Sequence, residues 1–268
     1  LVFPYHRALD ETKERKLSKG EKIGTTKRGI GPSYADKAAR TGLRACDMLE
    51  PDFAELVRQR VETNNRVLEA LQAPALDVDQ IVSDYTAAAE RLKPLICDTM
   101  VLLNEAIARG ESIFFEGAQG TMLDIDWGTY PFVTSSCASA GGAATGSGVA
   151  PHRIHRVLGV LKAYTTRVGE GPFPTELLDE TGEQLRATGG EFGATTGRPR
   201  RCGWFDAVVA RYSATLNGVN HWALTKLDVL DDVKTIRICT AYELDGERMD
   251  GIPAGARALE RCVPVYEE

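Results

Sequence analysis

The stretch from Phe205 to Leu230, FDAVVARYSATLNGVNHWALTKLDVL, decides the fold class. Phe205 to Leu216 is typical of a helix, and Ala223 to Leu230 is typical of an apolar strand. Further strands are predicted at Val233 to Tyr242 and, upstream, at Arg156 to Val168. Strands that alternate with helices, with glycine-rich loops at the strand ends, indicate an α/β domain around a largely parallel central sheet flanked by helices. In such sheets ligands bind at the carboxyl ends of the strands.

Upstream of these strands the pattern is mostly helical. Apolar residues at helical spacing predict one helix from Asp52 to Leu71 and a second helical stretch from Asp79 to Arg109, bent or split at Pro94. Ser112 to Phe115 predicts a short buried strand, and the glycine-rich Gly141 to Gly148 predicts a flexible loop. We expect a single α/β domain over residues 1–268, incomplete at both ends, with a helical subregion at about residues 50–110.

The first residues indicate an incomplete domain. Leu1 to Pro4 resembles the end of an apolar strand, and no methionine precedes it. We therefore expect the domain to be truncated, and we expect a fragment that lacks part of its sheet to have unpaired strand edges.

Composition excludes several classes of protein. Of the 268 residues, 43% are hydrophobic and 26% are charged, which excludes disordered, collagen-like and coiled-coil chains. The net charge of -6 argues against a protein built mainly to hold nucleic acid or an anionic membrane, and no apolar run approaches the ~20 residues of a membrane-spanning helix.

Six scattered cysteines without a C-x-x-C pair are typical of reduced cytosolic thiols. His152 and His155 lack a neighbouring carboxylate or thiol, which favours a solvated loop over a metal site.

Four short segments have residues suited to binding a ligand, and the first runs from Gly24 to Arg40. Its sequence, GTTKRGIGPSYADKAAR, combines three glycines with two threonine hydroxyls and adjacent cations. Exposed backbone N–H groups beside such side chains are suited to phosphate. Lys37 and Arg40 are three residues apart and would share a helix face. The alternative is a turn before an amphipathic helix with a solvated basic edge.

The second segment runs from Glu116 to Ser136, EGAQGTMLDIDWGTYPFVTSS. Gln119, flanked by small residues, can offer both a donor and an acceptor to a base edge. The run of threonine and serine hydroxyls suits a sugar or a phosphate. A turn with capping hydroxyls is the alternative.

The third and fourth segments are Gly193 to Arg201, GATTGRPRR, and Thr225 to Asp228, TKLD. Arginine binds carboxylates and phosphates through two parallel hydrogen bonds, so the third segment could clamp an anion. A carboxylate at Asp228 could accept hydrogen bonds from the N1–H and exocyclic amine of guanine, a pattern that adenine cannot supply. The alternative for the third segment is a solvated basic loop, and the alternative for the fourth is an ordinary strand end. The chain contains no G-x-x-x-x-G-K-[ST], G-x-G-x-x-G or G-x-S-x-G motif.

In this order, the four segments resemble the adenylosuccinate synthetase family. The pattern G-I-G-P-x-Y-x-x-K-x-x-R that begins at Gly29 fits a signature of that family. The resemblance extends from about Tyr5 to Tyr242. The other matching stretches are Phe115 to Ser136, Thr165 to Leu177, Gly193 to Asp206 and Leu224 to Asp228.

The resemblance implies a GTP-dependent ligase that joins IMP and L-aspartate into adenylosuccinate on the route to AMP. GTP would phosphorylate the O6 of IMP, and the aspartate amine would displace that phosphate from 6-phosphoryl-IMP. The resemblance further implies a Mg²⁺ requirement, a cytoplasmic homodimer and a fold related to P-loop GTPases. The expected partners are these small molecules and a second copy of the chain, with no nucleic acid and no membrane.

The resemblance also implies roles for individual residues. For IMP they are Thr26, Arg40 (across the dimer), Gln119, Leu123, Thr134, Val168 and Arg198. For aspartate they are Ala194, Thr195, Thr196, Gly197, Arg198, Pro199 and Arg200. For GTP they are Arg200, Lys226, Leu227 and Asp228. Lys37 is a candidate catalytic lysine, and a role on the helix surface at the dimer is the alternative.

The chain departs from the family pattern at its chemical centre. The family's catalytic base is an Asp in an N-terminal Gly-Asp-Glu-Gly-Lys-Gly loop that also supplies Mg²⁺ contacts, and its catalytic acid is a His about two dozen residues later. Neither segment is present, and His6 stands in the wrong context. Trp127 and Cys137 stand where a His and an Asn are expected. We expect this chain alone to be inactive and to hold no metal; the alternative function is a non-catalytic nucleotide-binding or interaction module of the same fold.

Overall fold

The structure is a computed structural model that describes residues 1–18, 24–193 and 197–268. The chain divides into two compact units, Leu1–Ile113 and Phe114–Glu268, and each unit is described by itself. The single domain expected from the sequence stays a prediction.

The first unit is helical. Its helices are α1 (Pro4–Lys16), α2 (Ile30–Ala39), α3 (Phe53–Ala70), α4 (Val78–Leu92) and α5 (Thr99–Ala108), with 3₁₀ turns at Cys46–Leu49 and Lys93–Leu95. The helix predicted from Asp52 is therefore present as α3, and the second helical stretch is split around Pro94. The carboxylates of Asp77 and Asp98 accept backbone N–H groups at the starts of α4 and α5, which satisfies donors that a helix leaves unpaired. No described helix is long and apolar enough to cross a bilayer.

Apolar side chains from α1, α3 and α4 form the core of the first unit. Its fully buried members include Tyr5, Val57, Val61 and Leu68. The rings of Phe3 and Tyr85 stack with centroids 4.3 Å apart, which packs the chain before α1 against α4. Burial of these side chains removes apolar surface from water, the main favourable term in folding.

A buried polar stripe on α1 holds the segment around α2. Side chains four residues apart share a helix face, and His6, Asp10 and Glu14 are spaced in this way and are all buried. The Asp10 carboxylate accepts the N–H of Gly29 at 2.9 Å, and the Glu14 carboxylate accepts the N–H of Gly24 at 2.8 Å. Both ends of the loop at residues 24–29 are therefore tied to α1.

His6 adds a bond from the same stripe to α2. Its Nδ1 accepts the N–H of Phe3 at 2.9 Å, so Nε2 carries the proton and donates to the Asp36 carboxylate at 3.1 Å. Burial lowers the pKa of His6, and the hydrogen bond to Asp36 offsets this only in part. His6 is therefore held as a neutral imidazole.

The second unit mixes helices and strands. Its helices are α6 (Gly141–Ser147), α7 (Glu180–Gly189), α8 (Ala207–Asn217) and α9 (Ala256–Glu260), with 3₁₀ turns at Thr121–Leu123, Pro151–Arg153 and Leu227–Leu230. Its strands are β1 (Leu158–Lys162), β2 (Thr165–Arg167), β3 (Arg201–Gly203), β4 (Phe205–Asp206), β5 (His221–Thr225), β6 (Ile238–Leu244), β7 (Glu247–Met249) and β8 (Val263–Glu267). This arrangement confirms the predicted α/β class.

Parallel pairing joins the strands that matter most for the candidate site. β1 pairs with β5 in parallel, with Lys162 opposite Thr225 at their carboxyl ends. β4 also runs parallel to β6, whereas β7 and β8 pair antiparallel with β6, and β2 pairs antiparallel with β3. The parallel pairing of β1 and β5 brings two strand ends to one edge, where the sequence predicts ligand binding.

Asp206 links the sheet of β4 and β6 to α8. One of its oxygens accepts the N–H groups of Val208 and Val209, and the other accepts the Tyr242 hydroxyl. Burial raises the pKa of Asp206, although these donors act against it. A buried carboxylate with donors on both oxygens fixes where α8 begins.

Four local predictions were wrong. The strand predicted from Ala223 to Leu230 ends at Thr225 as β5, and Leu227–Leu230 is a 3₁₀ turn. Pro4 starts α1 with Phe3 as its N-cap, so Leu1 to Pro4 is not the end of a strand; proline is well suited to the first position of a helix. Ser112 to Phe115 has no strand partner among the described residues, and the Phe114 side chain is 84% exposed. Gly141 to Gly148 forms α6 and ends at Gly148 with φ +76°, because the glycine supplies the left-handed cap that ends a helix.

We predict that Gly29→Ala destabilises the chain far more than Gly110→Ala. Both glycines have positive φ, +78° and +79°, so both substitutions carry a left-handed strain of about 1–2 kcal/mol. A Cβ on Gly29 would lie 2.7 Å from the Arg7 nitrogen and the His6 carbonyl carbon, whereas nothing lies within 4 Å at Gly110. Overpacking adds a further ~1–3 kcal/mol at Gly29. Urea denaturation of the two variants measures the difference, and equal losses would refute the close contact.

We also predict that the stability of the first unit falls below pH 6.5 because of His6. In the unfolded chain this imidazole takes up a proton near its ordinary pKa of 6.5, whereas the folded state keeps it neutral. The contribution is fully present above that pH and is lost as the pH falls toward the lowered pKa, by at most about 1.4 kcal/mol per pH unit.

Thermal denaturation between pH 7.5 and 5.5 tests this prediction. His6→Asn keeps an acceptor for the Phe3 N–H and cannot titrate, so it should show a shallower pH dependence than the unsubstituted chain. His155→Asn, at an exposed histidine, is the matched control and should leave the dependence unchanged. Identical slopes for all three chains would contradict the role given to His6.

Candidate functional site

In the first unit, the predicted phosphate-binding residues lie on the loop and helix that α1 holds. Thr26 is exposed on the loop at residues 24–29, and Lys37 is exposed in the last turn of α2. Arg40 follows as the C-cap of α2 with φ +64°, so it lies at the end of the helix and not on its side. The Lys37 ammonium is 5.7 Å from the centre of the Tyr34 ring. The segment therefore presents a hydroxyl and two cations to solvent, as phosphate binding requires.

In the second unit, a buried aspartate shapes the segment that contains Leu123 and Thr134. Asp124 is fully buried, and its carboxylate accepts the N–H groups of Asp126, Trp127 and Ser139. Burial opposes its ionisation, but these donors outweigh burial and lower the pKa of Asp124. Asp124 therefore fixes the turn between the two predicted IMP residues.

Leu123 and Thr134 are neighbours within this segment. The Thr134 N–H donates to the Leu123 carbonyl at 2.8 Å, and the Thr134 hydroxyl lies 3.2 Å from that of Ser136. Gln119 precedes them in the left-handed conformation with φ +67° and is exposed. The turn thus leaves the Gln119 amide available to a ligand.

Arg167 connects the same segment to β2, next to the predicted pocket residue Val168. Its guanidinium donates to the Thr129 hydroxyl at 3.0 Å and to the Phe132 carbonyl at 2.9 Å. Burial and the neighbouring Arg201 lower the pKa of Arg167 to about 10. Val168 itself is exposed.

Backbone hydrogen bonds join the described residues on the two sides of the predicted anion-binding segment. The Arg200 N–H donates to the Glu191 carbonyl at 2.9 Å, and the Gly193 N–H donates to the Arg198 carbonyl at 2.8 Å. Phe192 and Pro199 form an isolated antiparallel bridge between these two bonds. Ala194, Thr195 and Thr196 lie outside the described residues. The base of the loop is therefore a short hairpin that carries Gly197, Arg198, Pro199 and Arg200.

Glu191 lies at the base of this hairpin, opposite Arg200, and is the centre of a buried ion cluster. Its side chain is 1% exposed. The carboxylate accepts Lys162 Nζ at 2.9 and 2.8 Å, the Tyr164 hydroxyl at 2.6 Å and Arg200 Nη1. Burial opposes ionisation, but the donors Lys162, Tyr164 and Arg200 outweigh it and lower the pKa of Glu191. Glu191 therefore stays a carboxylate and orients an arginine of the loop.

The predicted guanine-binding residues begin where β5 ends. Lys226 has φ +63°, and its Nζ donates to the Gly189 carbonyl at 2.8 Å. Leu227 and Asp228 are exposed in the 3₁₀ turn that follows, while Val229 and Leu230 are buried. The turn thus buries its apolar end and presents a carboxylate to solvent.

The structure brings several predicted residues together and adds some that the sequence analysis did not assign. Arg200 and Lys226 both bind the turn at residues 189–191, and Leu123 bonds to Thr134. The contacts of these residues depend on three others for which the sequence predicts no role: Glu191, Lys162 and Asp124. An acidic residue directly before an arginine-rich loop was the available signal for Glu191. Among the described residues, no group of three or more His, Cys, Asp or Glu is placed to hold a metal ion.

Comparison with known proteins extends over the whole chain. The family model described as adenylosuccinate synthetase matches residues 1–268. The adenylosuccinate synthetases of Trichlorobacter lovleyi and Carboxydothermus hydrogenoformans are each 55% identical, covering 100% of this chain and 62% and 63% of their own lengths. The chain therefore spans less than two thirds of the curated relatives it matches.

A solved structure agrees with this assignment. The fully ligated adenylosuccinate synthetase from Plasmodium falciparum is 37% identical and superposes with a TM-score of 0.94, covering 99% of this chain and 63% of that one. The sequence resemblance and the α/β class are thus confirmed by the family model, by curated relatives and by a solved structure. The chain belongs to the adenylosuccinate synthetase family.

Proposed function

We propose that this chain carries the substrate-binding part of a GTP-dependent ligase that joins IMP and L-aspartate into adenylosuccinate. The observation that carries the proposal is the turn at residues 189–191, which receives both Arg200 and Lys226. One residue is expected to bind an anionic substrate and the other to flank the guanine of GTP. A single turn therefore supports two loops that would bind different substrates of one reaction.

The chemistry of the candidate residues fits three anionic substrates. Thr26 would bind the IMP phosphate, and Arg40 would reach across the dimer to the IMP of the second copy. Gln119 and Thr134 would also bind IMP, with Leu123 and Val168 lining its pocket. Arg198 and Arg200 are permanently charged and suit the two carboxylates of aspartate. Asp228 would accept two hydrogen bonds from guanine, and Lys37 is a further candidate on α2. A cytoplasmic homodimer is part of the same proposal.

Phosphoryl transfer depends mainly on positioning and on neutralising charge, and the described residues can supply both. Arg200 would lie between aspartate and GTP and offset the charge that develops as the phosphate moves to the IMP O6. The described residues offer no cluster of side chains that could hold Mg²⁺. We therefore assign none of them the role of a metal ligand. The base and the acid expected for this family are likewise not assigned to any residue of the chain.

A hybrid enzyme tests the proposed function. In the Trichlorobacter lovleyi relative, this chain would replace the 269 residues that it matches. We expect the hybrid to form adenylosuccinate only when IMP, GTP, aspartate and Mg²⁺ are all present, and we expect the chain alone to show no turnover.

The outcomes separate the two candidate functions. A folded hybrid that binds GDP without turnover would favour the non-catalytic nucleotide-binding module. Turnover by the chain alone would show that a base and an acid lie within it. A folded hybrid that neither binds GDP nor forms product would refute both functions.

We predict that Asp228→Asn in the hybrid reduces the preference for GTP over ITP. The Asp228 carboxylate can accept from both N1–H and the exocyclic amine of guanine, and hypoxanthine lacks that amine. An amide offers one acceptor, so kcat/KM for GTP should fall about 10- to 100-fold while that for ITP falls less. Asp232→Asn, four residues further on at an exposed position, is the matched control. An unchanged GTP-to-ITP ratio would exclude guanine recognition by Asp228.

A further inference from the structure

We propose that Glu191 is the positioning residue of this site: its buried carboxylate orients the Arg200 side chain and holds Arg200 close to the guanine-binding turn that begins at Lys226. The inference rests on the proposed function for the identity of the substrates. The orientation of Arg200 by Glu191 is argued from the contacts of Glu191 alone and does not depend on which substrates bind.

The first argument is the number of bonds that fix Arg200. Its N–H donates to the Glu191 carbonyl at 2.9 Å, and its own carbonyl accepts Arg186 Nε at 2.8 Å. Its guanidinium donates to the Glu191 carboxylate. Backbone and side chain are thus both held, and Glu191 takes part in two of the three bonds.

The second argument is charge. Two cations, Lys162 and Arg200, share one carboxylate, so the cluster keeps one positive charge in excess. Their side chains are each 27% exposed, whereas that of Glu191 is 1% exposed. Part of each cationic side chain therefore reaches solvent, from where a carboxylate or phosphate could approach it, whereas the compensating carboxylate is buried.

The third argument is the cost of burying a carboxylate. Desolvation often exceeds the Coulombic gain, and an apolar group of similar size can stabilise a fold equally well. A buried carboxylate that binds a lysine, a tyrosine and an arginine instead fixes their directions. This favours a positioning role over a contribution to stability alone.

The fourth argument is the link to the neighbouring turn. Glu191 follows the end of α7, and two residues earlier the Gly189 carbonyl accepts Lys226 Nζ at 2.8 Å. On the other side, Lys162 stands opposite Thr225, directly before Lys226. Glu191 therefore connects with the Lys226 segment both through the backbone of the turn and through β1.

The first test measures amide hydrogen exchange in the chain by NMR at Gly193, Gly197 and Arg200. In Glu191→Gln the carboxylate charge is lost, and we expect exchange at these amides to rise about 10-fold or more. Glu176→Gln is the matched control, because Glu176 binds the adjacent Arg201 at 2.7 Å and does not contact Arg200. It should leave these three amides unchanged. Equal exchange in both variants would overturn the inference.

A second variant, Tyr164→Phe, keeps the inference testable if Glu191→Gln does not fold. Tyr164→Phe removes one donor to the carboxylate and leaves its charge in place. We expect a smaller rise in exchange at the same amides. If Glu191→Gln does not fold and Tyr164→Phe leaves the three amides unchanged, the inference fails.

A kinetic test separates positioning from general destabilisation. In the hybrid enzyme, Glu191→Gln should raise the KM for aspartate about 10- to 100-fold, and Glu191→Asp should restore part of the loss. The KM for IMP, measured in the same variants, should change less. Equal changes for both substrates would refute the positioning role, whereas an inactive unsubstituted hybrid would count against the proposed function and leave the exchange test to decide the inference.

Discussion

Glu191 places a negative charge just before the arginine-rich segment of the chain, almost out of contact with water. A charge in that position is tolerated only when donors surround it, and Lys162, Tyr164 and Arg200 meet that requirement. These donors come from the end of β1, from the residues after it and from the far side of the loop. The need to satisfy one buried carboxylate therefore holds together two parts of the candidate site, the end of β1 and the segment that begins at Glu191, which is 29 residues after Lys162.

The first unit is organised by the same constraint. Asp10 and Glu14, both buried on α1, accept the backbone N–H groups at the two ends of the loop at residues 24–29. His6 completes the stripe through Asp36. In the first unit the buried acids hold the backbone of a basic loop, whereas in the second unit the buried carboxylate of Glu191 holds the side chain of the loop residue Arg200. In both units a buried acid therefore fixes part of a segment that is rich in basic residues.

Local patterns in the sequence predicted the long helices and the loops that resemble the family. The apolar spacing in α3 and α8 identified both helices, because periodicity reports the buried face directly. The same reasoning failed at Ser112 to Phe115, since a strand exists only where a neighbouring strand accepts its bonds. It also failed at α6, whose glycines and alanines carry no periodic signal and were interpreted as a flexible loop.

By itself the sequence determined the family and the α/β class, because these depend on residue types in a fixed order, and it predicts the residues that would bind nucleotide and aspartate. Only the tertiary structure decided what holds those residues. Glu191 binds Lys162, 29 residues away, and Asp10 binds Gly29, 19 residues away. Such contacts leave no local pattern, since each partner is an ordinary charged or small residue until folding removes the water between them.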